Sequence, residues 1–186
     1  MEYFISDTHF YHYNIIQYCD RPFETVEEMN EKMIESWNSV VTDRDIVYFL
    51  GDFGFGDKDK LNNICNQLNG IKIMLRGNHD YRRGKQSWRD IGFKEVFSKK
   101  IDFANLDIST FFDGEFDHKI PILSFKNIIL SHEPKVVPDD TLNIHGHIHN
   151  VPLSKDFNKK NHFCVSVEMI DYVPITLEQI LKKMEK

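Results

Sequence analysis

The stretch Ile71-Lys72-Ile73-Met74-Leu75-Arg76-Gly77-Asn78-His79-Asp80 joins an apolar run to a polar turn that opens on glycine. The run from Ile71 to Leu75 predicts a buried strand, and the turn begins where that strand ends. In such a turn the carboxamide oxygen of Asn78 can bind a metal ion, and His79 can act on a substrate bound to that ion. The same residue types are also typical of an ordinary surface turn, so this stretch alone leaves both interpretations open.

Two earlier apolar runs are also followed by side chains that can bind metal. Tyr3 to Ile5 is followed by Asp7 and His9, and the run from Asp45 to Leu50 is followed by Asp52. In an open α/β sheet, ligands gather beyond the carboxyl ends of the strands. The i, i+2 spacing of Asp7 and His9 would place both on one side of an extended segment, where they suit a first-row divalent metal. A turn with a hydrogen-bonded histidine is the structural alternative for this segment.

The second half of the chain repeats the pattern with histidines. A predicted strand from Asn127 to Leu130 leads to His132, and a second from Leu142 to Ile144 leads to Gly146-His147-Ile148-His149. In extended backbone the two alternating histidines of that turn would point the same way. Two imidazoles on one side of a glycine-led turn favour a metal-binding interpretation.

Helical patterns fill the spaces between these strands. Segment 25–41 predicts an amphipathic helix with Thr25 and Glu28 as a capping box, and segments 57–68 and Thr176 to Lys186 predict two more. Further strands are predicted at 108–112, 120–126 and Phe163 to Val167.

Length and composition predict one globular domain spanning residues 1–186. The chain is 41% hydrophobic and 28% charged, and its formal charge is −6. This charge argues against a chain-wide electrostatic footprint for nucleic acid or anionic membrane, but not against a local basic patch. Three cysteines without metal-type spacing predict buried thiols in a reducing compartment, so we expect a cytoplasmic protein. The chain opens directly into a strand, and no apolar run approaches the ~18 residues of a membrane span, so we expect neither a signal peptide nor a membrane partner.

A basic segment is the candidate for substrate binding. Between residues 82 and 100, seven Lys or Arg side chains outnumber two acidic ones, whereas 101–117 carries only acidic charges. Arg82 and Arg83 are candidates to border the phosphate end of a substrate, and a solvated face is the alternative. His12 is a further candidate to face the substrate.

Other polar residues have less specific patterns. Arg21 is more typical of a surface salt bridge than of a substrate contact. His145 is expected to point away into packing, and His162 to lie in a loop or on the surface. Glu168 could support a metal ligand, although no pattern requires it.

Seven residues at the ends of the predicted strands have oxygen or nitrogen atoms suited to metal binding. They are Asp7, His9, Asp52, Asn78, His132, His147 and His149. Seven ligands are too many for one octahedral ion that keeps a position open, whereas two ions sharing a carboxylate would use them.

The order of these motifs resembles that of the calcineurin-like metallophosphoesterases. The motifs are Asp7-x-His9, Gly51-Asp52, Gly77-Asn78-His79-Asp80, His132 and Gly146-His147-x-His149. They span residues 7 to 149, so the resemblance covers most of the chain. It implies an α/β fold, a four-layer α-β-β-α sandwich of two mixed sheets flanked by helices.

The resemblance also implies a binuclear centre in which Asp52 bridges two divalent transition-metal ions. The ligands implied for the first ion are Asp7, His9, Asp52 and His149, and those for the second are Asp52, Asn78, His132 and His147. Such sites usually hold manganese, iron, zinc or nickel, with manganese expected to work in vitro. His79 would contact the scissile phosphate, and Asp80 would position it.

Elementary chemistry supports a metal-dependent phosphoesterase independently of the resemblance. Two ions ~3.5–4 Å apart clamp the attacking and leaving oxygens of an in-line displacement, and a hydroxide bridging them would attack phosphorus. Two divalent cations outweigh the charges of Asp7, Asp52 and this hydroxide, so the centre stays positive and attracts phosphate. His79 could then protonate the leaving oxygen.

The small positive charge of such a centre favours phosphodiesters over dianionic monoesters. We expect small nucleotide-type substrates, such as cyclic nucleotides or short oligonucleotides. A phosphomonoesterase acting on metabolites or phosphoproteins is the enzyme alternative, and a non-catalytic scaffold on the same fold is a remote one. A closed structural metal site is disfavoured because such sites usually hold one ion with four ligands.

Overall fold

A computed structural model describes residues 1–103 and 125–185 of the chain. The strands are β1 (Glu2–Ile5), β2 (Ile46–Phe49), β3 (Ile71–Leu75), β4 (Glu95–Phe97), β5 (Lys100–Phe103), β6 (Asn127–Ser131), β7 (Thr141–His145), β8 (His162–Cys164) and β9 (Ile175–Thr176). The helices are α1 (Tyr13–Tyr18), α2 (Val26–Val40), α3 (Lys58–Gln67), α4 (Lys85–Ile91) and α5 (Leu177–Met184). They form two mixed sheets flanked by helices, which confirms the predicted fold class.

The first sheet brings three of the predicted turns to one edge. Its strand order is β4-β3-β2-β1-β9, with β1 to β4 parallel and β9 antiparallel to β1. In this register Ile5 lies opposite Phe49, and Phe49 lies opposite Met74. Because these three strands end side by side, the polar segments that follow them are neighbours in space.

The second sheet brings the turns that contain His132, His147 and His149 to one edge. Its order is β5-β6-β7-β8, in which β5 is antiparallel to β6 and the other pairs are parallel. The register aligns Ser131, His145 and Cys164 at one edge. The two edges meet where the Ser6 N–H donates to the Val165 carbonyl at 2.9 Å. The site is therefore assembled from both sheets.

The helices cover the sheets with the apolar faces that their sequences predict. In α2 the buried side chains are Met29, Met33 and Trp37, along with Asn30. Thr25 caps this helix by accepting the Glu28 N–H at 3.1 Å. The predicted capping box is incomplete, because the Glu28 carboxylate accepts the N–H of Glu24 instead.

Some predicted elements differ from the structure or lie outside it. The strand predicted at Phe163–Val167 is shorter, because Val167–Met169 forms a 3-10 turn. The strand predicted at 108–112, and most of the one at 120–126, lie outside the described residues. In the described ranges, no helix is long and apolar enough to cross a membrane. The single domain over 1–186 stays a prediction.

Candidate metal centre

Five of the seven candidate ligands have left-handed backbone conformations. The φ angles are +57° for Asp7, +49° for His9 and +60° for Asp52, and they are +71° for His147 and +50° for His149. The expectation of extended backbone at Asp7-x-His9 and at the His147–His149 pair was therefore wrong. Residues other than glycine rarely adopt this backbone conformation because it is strained, and backbone strain concentrates at functional sites.

Long-range hydrogen bonds impose this geometry on the first loop. The N–H of Asp7 donates to the Gly51 carbonyl at 2.9 Å, and the N–H of His9 donates to the Asp52 carbonyl at 3.1 Å. The loop after β1 thus follows the loop after β2 instead of continuing as a strand. The loops after β2 and β3 also approach each other closely, and glycines permit this: a Cβ on Gly51 would lie 2.5 Å from the Gly77 nitrogen, and a Cβ on Gly77 would lie 2.2 Å from Asp52 Oδ1.

The first cluster consists of Asp7, His9 and His149. Asp7 Oδ1 lies 4.0 Å from His9 Nε2 and 3.9 Å from His149 Nε2. Asp7 is 0% exposed and His9 is 2% exposed. Asp7 Oδ1 and both ring nitrogens of His9 are buried and have no hydrogen-bond partner in the described chain. Burial lowers the pKa of His9 well below its ordinary value, so its ring is neutral, as a metal-binding imidazole must be.

The second cluster consists of Asn78, His132 and His147. The Asn78 Oδ1 atom lies 2.9 Å from His132 Nε2 and 3.1 Å from His147 Nδ1. The two imidazole nitrogens are 3.2 Å apart. His132 is oriented through its other nitrogen, which lies 2.8 Å from the Leu50 carbonyl.

Asp52 lies between the two clusters. Its Oδ2 atom is 3.7 Å from His9 Nε2 and 3.4 Å from His132 Nε2. Its Oδ1 atom accepts the backbone N–H of His79 at 2.9 Å. One carboxylate thus contacts both groups of histidines, and all seven predicted ligands are together.

The spacing of the donor atoms fits shared metal ions. Two ligands bonded to one ion at about 2.0–2.2 Å lie at most about 4.4 Å apart. The separations within both clusters run from 2.9 to 4.0 Å. A buried carboxylate oxygen without a hydrogen-bond donor, beside a neutral imidazole, is a costly arrangement that a cation would relieve.

The carboxylates set the electrostatics of the site. Burial opposes protonation of His132, but its hydrogen bond to Asp52 raises its pKa to about 9. Burial also opposes protonation of His149, whose bonds to Cys19 and Glu168 nonetheless raise its pKa to about 10. Although burial acts in the opposite direction, His132 lowers the pKa of Asp52 to about 2. The negative potential that retains protons here also favours divalent cations.

A family model described as calcineurin-like phosphoesterase matches residues 3–181. The chain belongs to this family. It is 37% identical to an uncharacterized protein of Methanocaldococcus jannaschii over 189 residues, which cover 99% of this chain and 91% of the relative. A crystal structure of a protein of unknown function from Aquifex aeolicus matches with a TM-score of 0.67 and 26% identity, covering 98% of both chains. Family and clustered ligands together make this protein a metal-dependent phosphoesterase.

His79 lies at the open side of this phosphoesterase's centre. Its side chain is 42% exposed, and its Nε2 atom is 4.0 Å from Asp52 Oδ2. The Nη2 atom of Arg82 is 3.4 Å from its Nδ1 atom. His79 is therefore the predicted catalytic side chain that solvent and substrate can reach.

Asp80 contacts the loops rather than the His79 imidazole. Its carboxylate accepts the backbone N–H groups of Asp52 at 2.7 Å, Gly77 at 2.8 Å and Phe53 at 3.1 Å. Burial and the charge of Asp52 raise the pKa of Asp80 to about 7. The geometry is compatible with the predicted positioning role of Asp80, which would act through the backbone around His79; this role stays a prediction.

Arg21 and Glu168 form a buried chain of contacts in which Glu168 supports His149, as the sequence allowed, and Arg21 has a role that the sequence did not indicate. Arg21 is 4% exposed, and its guanidinium lies 2.7 Å from Glu168 Oε1 and donates to the carbonyls of Asp7 and Thr8 at 2.7 and 2.9 Å. Glu168 in turn lies 3.0 Å from His149 Nδ1. The predicted surface salt bridge of Arg21 was therefore wrong. Its partner follows the end of β8, a position shared with the candidate ligands, and that signal could have identified it.

Glu168 is also part of a third group of possible ligands, with Cys19 and His149. The guanidinium of Arg21 already supplies positive charge to this carboxylate at 2.7 Å. A cation at the third group would face that guanidinium directly, so this group orients His149 instead of binding an ion.

The candidate substrate residues surround Phe55 beside His79. The His12 ring stacks on Phe55 at 4.2 Å, and the Arg82 guanidinium lies 4.2 Å from the same ring. Arg83 donates to the Gly56 carbonyl. Their substrate contacts stay predictions.

Two further histidines are buried behind the centre. His145 lies beneath Gly146, whose carbonyl is 3.0 Å from its Nδ1 atom, in agreement with the expected packing role. His162 is 8% exposed and lies 2.9 Å from the Lys135 carbonyl. The expectation that His162 lies on the surface was wrong, because it is the first residue of β8.

Proposed function

We propose that this protein is a phosphodiesterase with a two-ion centre formed by the seven candidate ligands. The observation that carries the two-ion proposal is the position of Asp52, whose Oδ2 atom lies within 3.7 Å of imidazole nitrogens from both sides. When bound, two divalent ions would neutralise phosphate oxygens and activate water for in-line attack. Asp7, His9 and His149 would bind one ion, Asn78, His132 and His147 the other, and Asp52 both.

His79 would act on the leaving oxygen. The Arg82 guanidinium can only donate, so its contact with Nδ1 leaves the ring proton on Nε2. This nitrogen faces Asp52 and the centre. In this neutral form His79 would hydrogen-bond to a phosphate oxygen through its Nε2–H group. Once the ring has taken up a second proton, it would donate the Nε2 proton to the leaving oxygen as the ester bond breaks and return to the neutral form. Asp80 would keep its backbone in place.

Two of the cavities beside the centre support diesters over monoesters. One of about 550 Å³ is lined by Asn78 and His132, and another of about 270 Å³ is lined by His79 and Phe55. A diester has an organic group on both sides of phosphorus, and each group would have its own cavity. A monoester would need only one.

A phosphomonoesterase is the second candidate, and Arg82 is the observation that favours it. Its guanidinium lies 3.4 Å from the His79 ring and could neutralise the second charge of a monoester. This extra cation would weaken the argument that the small positive charge of the centre favours diesters over dianionic monoesters.

A metal-reconstituted hydrolysis assay separates the two candidates. Chelated protein would receive manganese, nickel, zinc or iron and then bis-p-nitrophenyl phosphate or p-nitrophenyl phosphate. We expect faster cleavage of the diester, which chelator abolishes. Faster cleavage of the monoester would reject the phosphodiesterase proposal and favour the phosphatase.

A further inference from the structure

The larger cavity beside the centre is strongly basic. Its cationic lining consists of Arg76, Lys99, Lys100 and Lys135, against one carboxylate, Glu133. The chain as a whole carries a formal charge of −6, so this concentration of positive charge is local. Such a cleft raises the local concentration of anions next to the reacting groups. We call it the basic cleft.

The basic cleft is continuous with the second cluster. Asn78 and His132 line both the cavity and that cluster. A molecule whose phosphate is seated at the centre could therefore extend a second group into the cleft. A volume of about 550 Å³ is within the usual range of about 300–1,000 Å³ for small-molecule sites.

Arg76 is held in place at the wall of the cleft. Its guanidinium donates to Ser98 Oγ at 2.8 Å and to the Arg83 carbonyl at 3.0 Å, and it stacks 4.2 Å from the Tyr81 ring. Its buried Nε–H has no hydrogen-bond partner in the part of the chain that the structure describes. Because the Arg76 side chain is already ordered, little conformational entropy is lost when an anion binds beside it.

The lysines of the cleft can turn toward a ligand. Lys100 pairs with Asp102 at 2.8 Å and Lys135 with Glu133 at 3.4 Å, and all four of these side chains are well exposed. Exposed ion pairs of this kind contribute little, so they exchange readily for a phosphate. Lys99 is exposed and, among the described residues, has no ion pair.

We propose that the basic cleft binds a second phosphate of the substrate, the one next to the phosphate that is cleaved. The substrate class is then a short oligonucleotide with at least two phosphates, rather than a simple diester or a cyclic mononucleotide. This proposal rests on the proposed phosphodiesterase function. Even with the carboxylates of Glu133 and Asp102 counted, the four cations leave a net positive charge, which an anionic group would use and an uncharged organic group would not.

The test compares nucleotide esters that differ by one phosphate, with manganese-loaded protein. The first pair is thymidine 5′-(p-nitrophenyl phosphate) with and without a 3′-phosphate. The second pair is thymidine 3′-(p-nitrophenyl phosphate) with and without a 5′-phosphate. In one polarity we expect the extra phosphate to raise kcat/KM by about 10-fold or more, mainly through a lower KM, since 10-fold corresponds to one modest interaction.

Neutral variants locate the effect. In Lys99→Gln/Lys135→Gln the gain within the pair should fall to about 3-fold or less, since two of the three flexible lysines of the cleft are lost. The matched control is Lys32→Gln/Lys126→Gln, which removes two exposed lysines outside the cleft and should retain the full gain. Equal kcat/KM within both pairs for the wild type, or an undiminished gain in the cleft variant, would overturn the proposal.

A binding measurement keeps this test separate from the proposed function. Thymidine 3′,5′-bisphosphate should bind the manganese-loaded protein about 10-fold more tightly than either thymidine monophosphate by calorimetry, and the cleft variant should lose this difference. Cleavage of no diester at all would reject the phosphodiesterase proposal while this measurement still decides the cleft. Inorganic phosphate that binds as tightly as the bisphosphate would mark a general anion site and reject a nucleotide subsite.

Discussion

The two clusters of candidate ligands differ in burial and in support. In the first, Asp7 and His9 are buried, and Glu168 and Arg21 orient the ligands from behind. In the second, Asn78 and His147 are exposed and His132 is buried, and Asn78 and His132 border the basic cleft. The first cluster, which is buried and oriented by neighbouring side chains, should retain its ion. The second cluster is more exposed, so its ion should exchange more readily and contact the substrate. The comparison predicts two ion sites of unequal affinity.

The largest loss of activity is expected from Asp52→Asn, because Asp52 lies beside both clusters of candidate ligands. We expect turnover of bis-p-nitrophenyl phosphate to fall about 10³-fold, the upper end for losing one electrostatic contact. Both ions should also bind more weakly, as measured by elemental analysis after dialysis. Loss of only one ion would show that Asp52 belongs to a single cluster.

His79→Ala should separate catalysis from metal binding. We expect kcat to fall about 100-fold or more, the low end for a general acid, while both ions stay bound. His145→Gln is the buried control, since His145 packs beneath the same turns without reaching the open side. Normal turnover by a metal-loaded His79→Ala variant would reject the catalytic role.

Glu168→Gln should weaken the first cluster alone. Removing a carboxylate that orients a ligating histidine costs about 10–100-fold in metal affinity. Calorimetric titration with manganese should show this loss at the tighter site, with the weaker site unchanged. The matched control is Glu133→Gln, an exposed carboxylate beside the second cluster that pairs with Lys135. Equal losses in both variants would mean that bulk charge, not orientation of His149, sets the affinity.

The smallest effect is expected at the opposite end of β2, away from both clusters. Burial opposes ionisation of Asp45, but the chain's amino terminus and Thr42 hydrogen-bond to it and lower its pKa. Its contribution to stability is therefore complete above the usual pKa near 4 and is lost as the pH falls through the lowered value. Asp45→Asn should reduce the free energy of unfolding by about 1 kcal/mol at pH 7 and less below about pH 4. Urea denaturation measures this difference, and an equal difference at both pH values would contradict it.

Local sequence patterns predicted the strands better than the loops. Strand β3 has the predicted bounds, because a continuous apolar run ending at Arg76-Gly77 leaves little choice. The left-handed turn at Asp7-x-His9 was missed because carbonyls more than 40 residues away impose it. Arg21 was misjudged for the same reason, since its partner Glu168 lies 147 positions later. The clustering of the candidate ligands could thus be predicted from motif order, whereas loop shape and supporting contacts depend on tertiary structure.

We expect the buried carboxylate of Asp52 to join two ions of unequal affinity. Manganese titration of the chelated protein, followed by electron paramagnetic resonance, tests it most directly. We predict two bound ions per chain, the first binding more tightly, with an exchange-coupled signal that appears as the second site fills and is absent in Asp52→Asn. Saturation at a single ion, or two ions without coupling, would contradict the claim.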